Sequence, residues 1–383
     1  MNKIERLLQT LAPKGVEFRK LGEVCDFQKG KSITKKAVTF GKVPVISGGR
    51  QPAYYHNEAN RSGETIAISS SGVYAGYVSY WDIPVFLADS FSVSPKQKTL
   101  MPKYLFYYLT TQQDAIHATK STGGIPHVYS KDLQNFLIPI PPLEIQQEIV
   151  KILDAFTELN TELNTELNAR KKQYEYYQNM LLDFNDINQS RKDAKERLAQ
   201  KPYPKRLKAL LQTLAPKGVE FRKLGEMLEY DQPNQYCVTS KEFDKSYPTP
   251  VLTAGKTFIL GYTNEKDNIY QASKSSPVII FDDFTTATQW VDFPFKVKSS
   301  AMKILLPKNP IINIRFIFFY MQTIPYNIGG EHARHWISRY SQLEVPIPPL
   351  EIQQEIVTIL DQFSALTTDL QAGIPAEIKA RKK

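Results

Sequence analysis

Cysteine is almost absent from this chain: 383 residues hold only Cys25 and Cys237. Far apart in sequence, the two give neither a disulfide framework nor a cysteine-based zinc site, and a reducing cytoplasm is the expected home. No apolar run approaches the roughly 20 residues of a membrane helix. The opening MNKIERLLQTLAPKG mixes charges at helical spacing and lacks the apolar core of a signal peptide, so a soluble protein without a membrane role is expected.

Missing too are the signatures of catalysis. A methyltransferase using S-adenosylmethionine would show a glycine-rich loop after a strand. For amino-group methylation it would also show Asn or Asp before Pro-Pro and an aromatic residue. Pro141-Pro142 and Pro348-Pro349 instead follow isoleucine and precede leucine. There is no G-x-x-x-x-G-K-[ST] phosphate loop, which argues against a nucleotide-driven motor. His332 and His335 could share a helix face, but no third metal ligand accompanies them. Asp282-Asp283 is the one pair that resembles a metal-nuclease site, yet adjacent acids on a strand point to opposite faces. Acceptors for a cytosine amino group, or a structural turn, suit that pair better. No catalytic residue, metal or cofactor of its own is expected, and binding is the class that remains.

What the chain does have is duplicated text. Leu7 to Glu23 reads LLQTLAPKGVEFRKLGE, and so does Leu210 to Glu226; Pro139 to Val150 reads PIPPLEIQQEIV, and so does Pro346 to Val357. Between the copies, residues 24–138 and 227–345 share almost nothing. Identical supports with unlike inserts imply one task carried out twice on two objects. Lys and Arg number 48 against 39 Asp and Glu, a net charge of +9 that favours an acidic partner such as nucleic acid.

Ile4, Leu7, Leu8 and Leu11 fall at i, i+3, i+4, i+7, which predicts a helix over 2–12, and Leu207, Leu210, Leu211 and Leu214 repeat it. Each is followed by an entering strand in VEFRKLGE. The inserts read as strand-rich globules: VPVISG, ETIAISSSG, YAGYVSYW and PVFLADSFSV, then a helix at Lys103 to Gln113. The second runs through TPVLTAG, SPVIIFDD and FPFKVKSSAMKILLP to a helix at Ile314 to Gln322. From Leu143 the apolar stripe predicts about 40 residues of helix, roughly 60 Å, through Tyr174, Tyr177 and Leu181. A second long helix is predicted from Leu350, kinked or ended early by Gly373 and Pro375. The expected fold is α+β: two similar globular domains joined by two long antiparallel helices in coiled-coil contact, with pseudo-two-fold symmetry. The expected bounds are 1–142 and 205–349 for the globules, 143–184 and 350–383 for the helices, and 185–204 for a polar linker.

Residues 157–168 are TELN three times over, with Leu159, Leu163 and Leu167 on one side. Four residues are close to one helical turn, so the stripe drifts only about 40° per copy, and the unit serves as a spacer of adjustable length. Asp154 to Lys172 is 19 residues while Asp361 to Lys383 is 23, a difference of one unit. After the first ARKK the helix continues into QYEYYQNMLLDF, whereas the given sequence stops at the second. The second arm is therefore expected to be shorter, with the helix over 2–12 completing that half.

Candidate nucleic-acid contacts in the first insert are Lys29, Lys31, Lys35, Lys36, Arg50 and Arg61 among Tyr54, Tyr55 and Tyr74. Those in the second are Lys256, Lys274, Arg334, His335 and Arg339 with Tyr262, Thr285, Thr286, Thr288 and Gln289. Such cations, amides and hydroxyls reach phosphates and base edges; ordinary polar loops on a basic protein would look the same one residue at a time.

The doubled LAPKGVEFRKLGE, the doubled PIPPLEIQQEIV with ILD and Phe after it, and the tandem TELN together resemble the specificity (S) subunit of type I restriction-modification systems, over the whole chain. The resemblance implies a non-catalytic, cytoplasmic DNA-binding subunit of a restriction system. Each globule would be a target-recognition domain reading one half of a bipartite asymmetric site in double-stranded DNA. The repeated helices would set the spacing and dock two modification subunits. Leu159, Leu163 and Leu167 with Gln146, Gln147, Gln353 and Gln354 are the implied spacer and docking residues. S-adenosylmethionine, ATP and Mg2+ would belong to the modification and restriction partners. Two other readings remain open at this point: a stand-alone two-headed nucleic-acid or scaffold protein, and a methyltransferase or nuclease with unrecognised motifs.

Overall fold

The structure, a computed structural model, describes residues 3–121, 124–253, 257–325 and 334–381, with side chains described as far as Leu366. Contacts divide the chain into two compact units, Met1–Glu162 and Leu163–Lys383. The division falls inside the long helix, past the boundary near 143 that the prolines suggest.

In the first unit, helix α1 (Lys3–Leu11) leads through Gly15 to β1 (Glu17–Lys20), one helical turn at Leu21–Val24, and β2 (Cys25–Lys29). Then come β3 (Val43–Ile46), β4 (Tyr54–His56), β5 (Thr65–Ser69), β6 (Val78–Trp81), β7 (Phe86–Leu87) and β8 (Ser90–Pro95). Among helices of eight residues or more, α2 is Pro102–Thr111; β9 (Leu137–Ile140) and α3 (Leu143–Leu182) come next. The second unit repeats this order with α4 (Lys205–Leu214), β10 (Glu220–Lys223), β11 (Leu228–Asp231), β12 (Thr249–Leu252), β13 (Ile259–Thr263), β14 (Val278–Asp282) and β15 (Thr288–Val291). It ends with β16 (Lys296–Val297), β17 (Met302–Pro307), α5 (Ile314–Met321), β18 (Glu344–Ile347) and α6 (Leu350–Arg381).

The sheets match strand for strand. The first unit has a four-stranded antiparallel sheet β2-β8-β5-β6, a three-stranded sheet β4-β3-β7 and the pair β1-β9; the second has β11-β17-β14-β15, β13-β12-β16 and β10-β18. Two segments that read as single strands each supply two. Ala88 N donates to Ile46 O at 2.8 Å and Lys298 N to Leu252 O at 2.8 Å, so in each unit the chain leaves the small sheet and enters the large one a few residues on. The short strand before that point runs parallel to β3 or β12, and the long one after it antiparallel to β5 or β14. Such a change of sheet has no hydropathy signature, because both halves are buried.

Leu21, Ile66, Ile68, Phe91, Leu105, Leu109 and Ile138 form the first core, closed by Val150 of α3. The second core is larger and takes in Leu181, Leu182 and Phe184, as well as Ile352, Ile356 and Leu360 of α6. The Tyr177 and Phe363 rings stack at 4.8 Å, so the C-terminal part of α3 is in contact with α6. Residues 185–204, expected as a polar linker, carry folded structure of their own: Ile187, Ala194, Leu198 and Tyr203 are buried, because apolar residues at these places outweigh the polar average of the stretch. Helix α6 also runs on past Gly373 and Pro375 to Arg381, so neither residue ends it.

Candidate nucleic-acid interface

The duplicated words fold into duplicated joints. The amide of Gln146 accepts from Met101 N at 2.9 Å and donates to Thr99 O at 2.8 Å and Pro141 O at 2.7 Å. Gln353 accepts from Asn313 N at 2.8 Å and donates to Ile311 O at 3.1 Å and Pro348 O at 2.7 Å. In each unit one side chain thus satisfies the residue capping α2 or α5 and pins the Pro-Pro turn to the long helix. Lys103 bridges Asp154 at 2.8 Å and Arg315 bridges Asp361 at 2.7 Å; Lys3 reaches Glu148 at 2.6 Å and Arg206 reaches Glu355 at 3.0 Å. Gln146 and Gln353 are fully buried, which corrects their assignment as docking residues: their donors and acceptors are engaged inside their own unit. Gln147 and Gln354 are exposed, and Leu159, Leu163 and Leu167 are half-buried.

On this common frame each unit presents a different surface. In the first, Val128 N donates to Ser70 O at 2.9 Å; in the second, His335 N donates to Asp283 O at 2.9 Å. The two bonds hold the same pair of segments together: the turn that leaves β5 or β14, and the segment that reaches the buried frame at Val128 or His335. In the first unit that junction gathers Val73, Tyr74, Ile125 and Tyr129, all exposed. Arg50 stands 4.9 Å from the Tyr74 ring centre, because Gly48 lets its loop approach to where a Cβ would lie 2.5 Å from Ser71 O. The His127 and Tyr129 rings stack at 5.9 Å, with Lys131 Nζ 5.5 Å from the Tyr129 ring centre. Cations beside exposed aromatic faces suit nucleic acid, where guanidinium and ammonium groups meet phosphates and rings meet bases.

Of the other residues singled out in this insert, Lys29 and Lys31 are exposed around Gly30, whose N donates to Ser90 O at 2.8 Å; Tyr54 is exposed on β4. Arg61 does not reach out. Its guanidinium donates to Ser92 Oγ at 3.0 Å, Asn60 O at 2.7 Å, and the carbonyls of Gln28 and Lys29, and burial lowers its pKa.

In the second unit the corresponding junction holds the β14–β15 hairpin and Arg334. Asp282 accepts from Phe284 N at 2.9 Å, Thr285 N at 3.2 Å and Thr285 Oγ1 at 2.6 Å, and Thr286 takes φ +60°, rarely adopted by a β-branched residue. Asp283 accepts from Trp336 N at 2.9 Å and lies 3.7 Å from Lys303 Nζ; both side chains are buried. Of the readings given to this acidic pair, the structural turn fits: its oxygens are committed to hairpin, helix and lysine. Burial lowers the Lys303 pKa, against the pull of Asp283.

Thr285, Gln289 and Arg334 are exposed here. His335 is fully buried, which removes it as a surface contact: it begins a helical turn whose next residue, Trp336, fills the core. Lys256 and His332 lie outside the described residues.

Two duplicated frames carrying two unlike surfaces agree with what the chain matches. The family model described as "Type I restriction modification DNA specificity domain" covers residues 13–172 and again 216–380. The chain belongs to this DNA specificity family. It is 52% identical to the Escherichia coli type I restriction enzyme EcoR124I/EcoR124II specificity subunit over 175 residues, 43% of this chain and 42% of that one, so this match spans less than half of the relative's length. It is 27% identical to a putative type I restriction enzyme specificity subunit of Haemophilus influenzae over 99% of this chain and 95% of the other. The crystal structure of the type I restriction-modification S subunit from M. genitalium shares the fold, with a TM-score of 0.61 at 19% identity, over 95% of this chain and 96% of that one. A member of this specificity family is a non-catalytic component of a restriction-modification enzyme. Among the described residues no helix is long and apolar enough to cross a membrane.

Sequence reasoning missed His127, Tyr129 and Lys131 in this specificity chain.

Proposed function

We propose that the chain reads a bipartite, asymmetric DNA site, one domain to each half, and hands that site to catalytic partners that bind its repeated frame. The observation that carries this reading is the pair of matched bonds, Val128 N to Ser70 O and His335 N to Asp283 O, which put unlike side chains on one backbone plan. Arg50, Tyr54, Tyr74, Lys29 and Lys31 contact the first half-site, joined by His127 and Lys131. Thr285, Gln289 and Arg334 contact the second. Base-edge contacts set the sequence read, and the lysines on phosphates hold the register. Two modification subunits dock on the repeats, using Gln147 and Gln354 among the exposed identical residues. S-adenosylmethionine belongs to those subunits, and ATP with Mg2+ to restriction subunits. The cytoplasm, where the DNA is, is the site of action.

The TELN repeats act as a ruler between the two antiparallel arms. One unit adds about 6 Å of helix, comparable to roughly one to two base pairs. Co-expression with a candidate modification subunit, followed by sequencing of methylated sites, tests both ideas. Deleting Thr161–Asn164 should change the spacer and leave both half-sequences as they were. Altered half-sites with an unchanged spacer would refute the ruler, and no site-specific methylation at all would refute the reading itself.

A further inference from the structure

Seventeen identical residues meet different fates in the two units. In the second, Leu211 of α4 is fully buried, with Ala215 and Val219 beside it; Leu207, just ahead of the copied text where the first unit has Ile4, is buried too. Their cover is the end of α3 and the segment after it: Leu181, Leu182, Phe184, Ile187, Leu198 and Tyr203. The backbone joins in. Val219 N donates to Ile187 O at 2.7 Å and Gln189 N to Val219 O at 2.9 Å, and this segment passes so close to Gly218 that a Cβ there would lie 2.4 Å from Ile187 O.

In the first unit, the same text leaves that surface open. Helix α1 has no buried residue, Leu8 is only half-buried, Phe18 is 59% exposed, and among the described residues a Cβ on Gly15 would meet nothing within 4 Å. Gly15 and Gly218 share their turn, with φ +96° and +101°, so the local backbone is the same and only the cover differs. Phe221, the counterpart of Phe18, packs against the second core.

We propose that the surface of α1, Val16 and Phe18 is a docking site for a partner segment with the chemistry of Tyr177–Gln189: a helix ending Leu-Leu-x-Phe, then an extended stretch that pairs with the Val16 backbone. The occupant is defined by what the identical surface binds in the second unit. Leu8 takes the place of Leu211, and Gly15 gives the passing backbone the room that Gly218 gives Ile187.

The test uses the full chain and a synthetic peptide of residues 174–203 with a photo-crosslinking group at Met180, a position half-buried against the core in the second unit. Saturable binding of one peptide per chain is expected, with crosslinks between Lys3 and Lys20. Leu8→Asp should weaken binding at least tenfold, as should Phe184→Asp in the peptide. Phe18→Ser, at a surface position the fold does not depend on, should weaken it in the same direction. Absence of saturable binding, crosslinks confined to residues 205–223, or binding indifferent to Leu8→Asp and Phe18→Ser would each overturn the proposal. The assay contains neither DNA nor a catalytic partner, so its failure is separate from any failure of the DNA-reading function.

Discussion

At matched positions of the two four-stranded sheets, the first domain carries Phe91 and Ser69 where the second carries Lys303 and Asp282. The registers agree: Ile68 lies opposite Phe91 and Phe281 opposite Lys303, while Ser69 lies opposite Ser90 and Asp282 opposite Met302. In the small sheets the same holds for Phe86, opposite Val45, and Lys296, opposite Val251. The first domain thus supports its surface loops on apolar packing and hydroxyls, such as Ser69 Oγ donating to Ser47 O at 2.9 Å and Ser90 Oγ to Ile46 O at 3.0 Å. The second supports them on buried charge: Lys303 near Asp283, and Lys296 bridging Glu265 at 3.0 Å. Variation between the domains therefore reaches below the exposed loops into the layer that aims them. The joints built on Gln146 and Gln353 stay constant beneath it.

The sharpest break in that comparison is Lys303→Met. Removing one partner of a buried pair leaves Asp283 uncompensated, at a cost of about 3–5 kcal/mol. The matched Phe91→Met in the first domain exchanges one large apolar side chain for another, for about 1.5 kcal/mol or less. Calorimetric unfolding of the two variants should show the larger loss in the first; equal losses would mean that the lysine contributes only its apolar stem.

The constant layer predicts the opposite, equality. Gln146→Leu and Gln353→Leu each leave a capping N–H and two carbonyls without their amide, costing about 1–3 kcal/mol. The two should agree within about 0.5 kcal/mol, because the sites are independent and alike. A large inequality in denaturant titrations would show that the joints are equivalent in geometry only.

At the surface, the comparison becomes one of specificity. Arg334→Ala should relax the base preference of one half-site and weaken binding by about 1–3 kcal/mol if it reads a base, and Arg50→Ala should do so at the other half alone. Methylated-site sequencing distinguishes the two. A change at both half-sites from either variant would refute the assignment of one domain to each.

How far the sequence foretold this depends on what each feature rests on. The long helices, the repeated joints and the order of strands were legible because period and identical text are local properties. The folding of 185–204 and the burial of His335, Gln146 and Gln353 were not, since each depends on partners distant in sequence. A glutamine beside a glutamine gives no sign of which faces inward until Thr99 and Ile311 are brought to it. The candidate surface was legible in part: Arg50 and Tyr74 stood out as cation and aromatic, whereas Tyr129 joins them only when Val128 is tied to Ser70.

The smallest expected effect lies at Glu265. Burial pushes its pKa up, but hydrogen bonds from Ser240 N, Lys296 and Thr239 outweigh this and bring it to about 2, against an ordinary 4.5. A depressed folded-state pKa means that the contribution is complete above about pH 4.5 and fades as pH falls toward about 2. With the group near solvent, screening leaves about 1 kcal/mol. Glu265→Gln should remove that slope from the acid unfolding of the second domain and lower its stability at neutral pH, where Lys296 loses its partner. The first domain has Phe86 at the place of Lys296, and Phe86→Leu should leave its acid unfolding slope unchanged. Equal acid sensitivity of the wild type and Glu265→Gln would place the buried-charge layer outside the pH response and confine its role to aiming the loops.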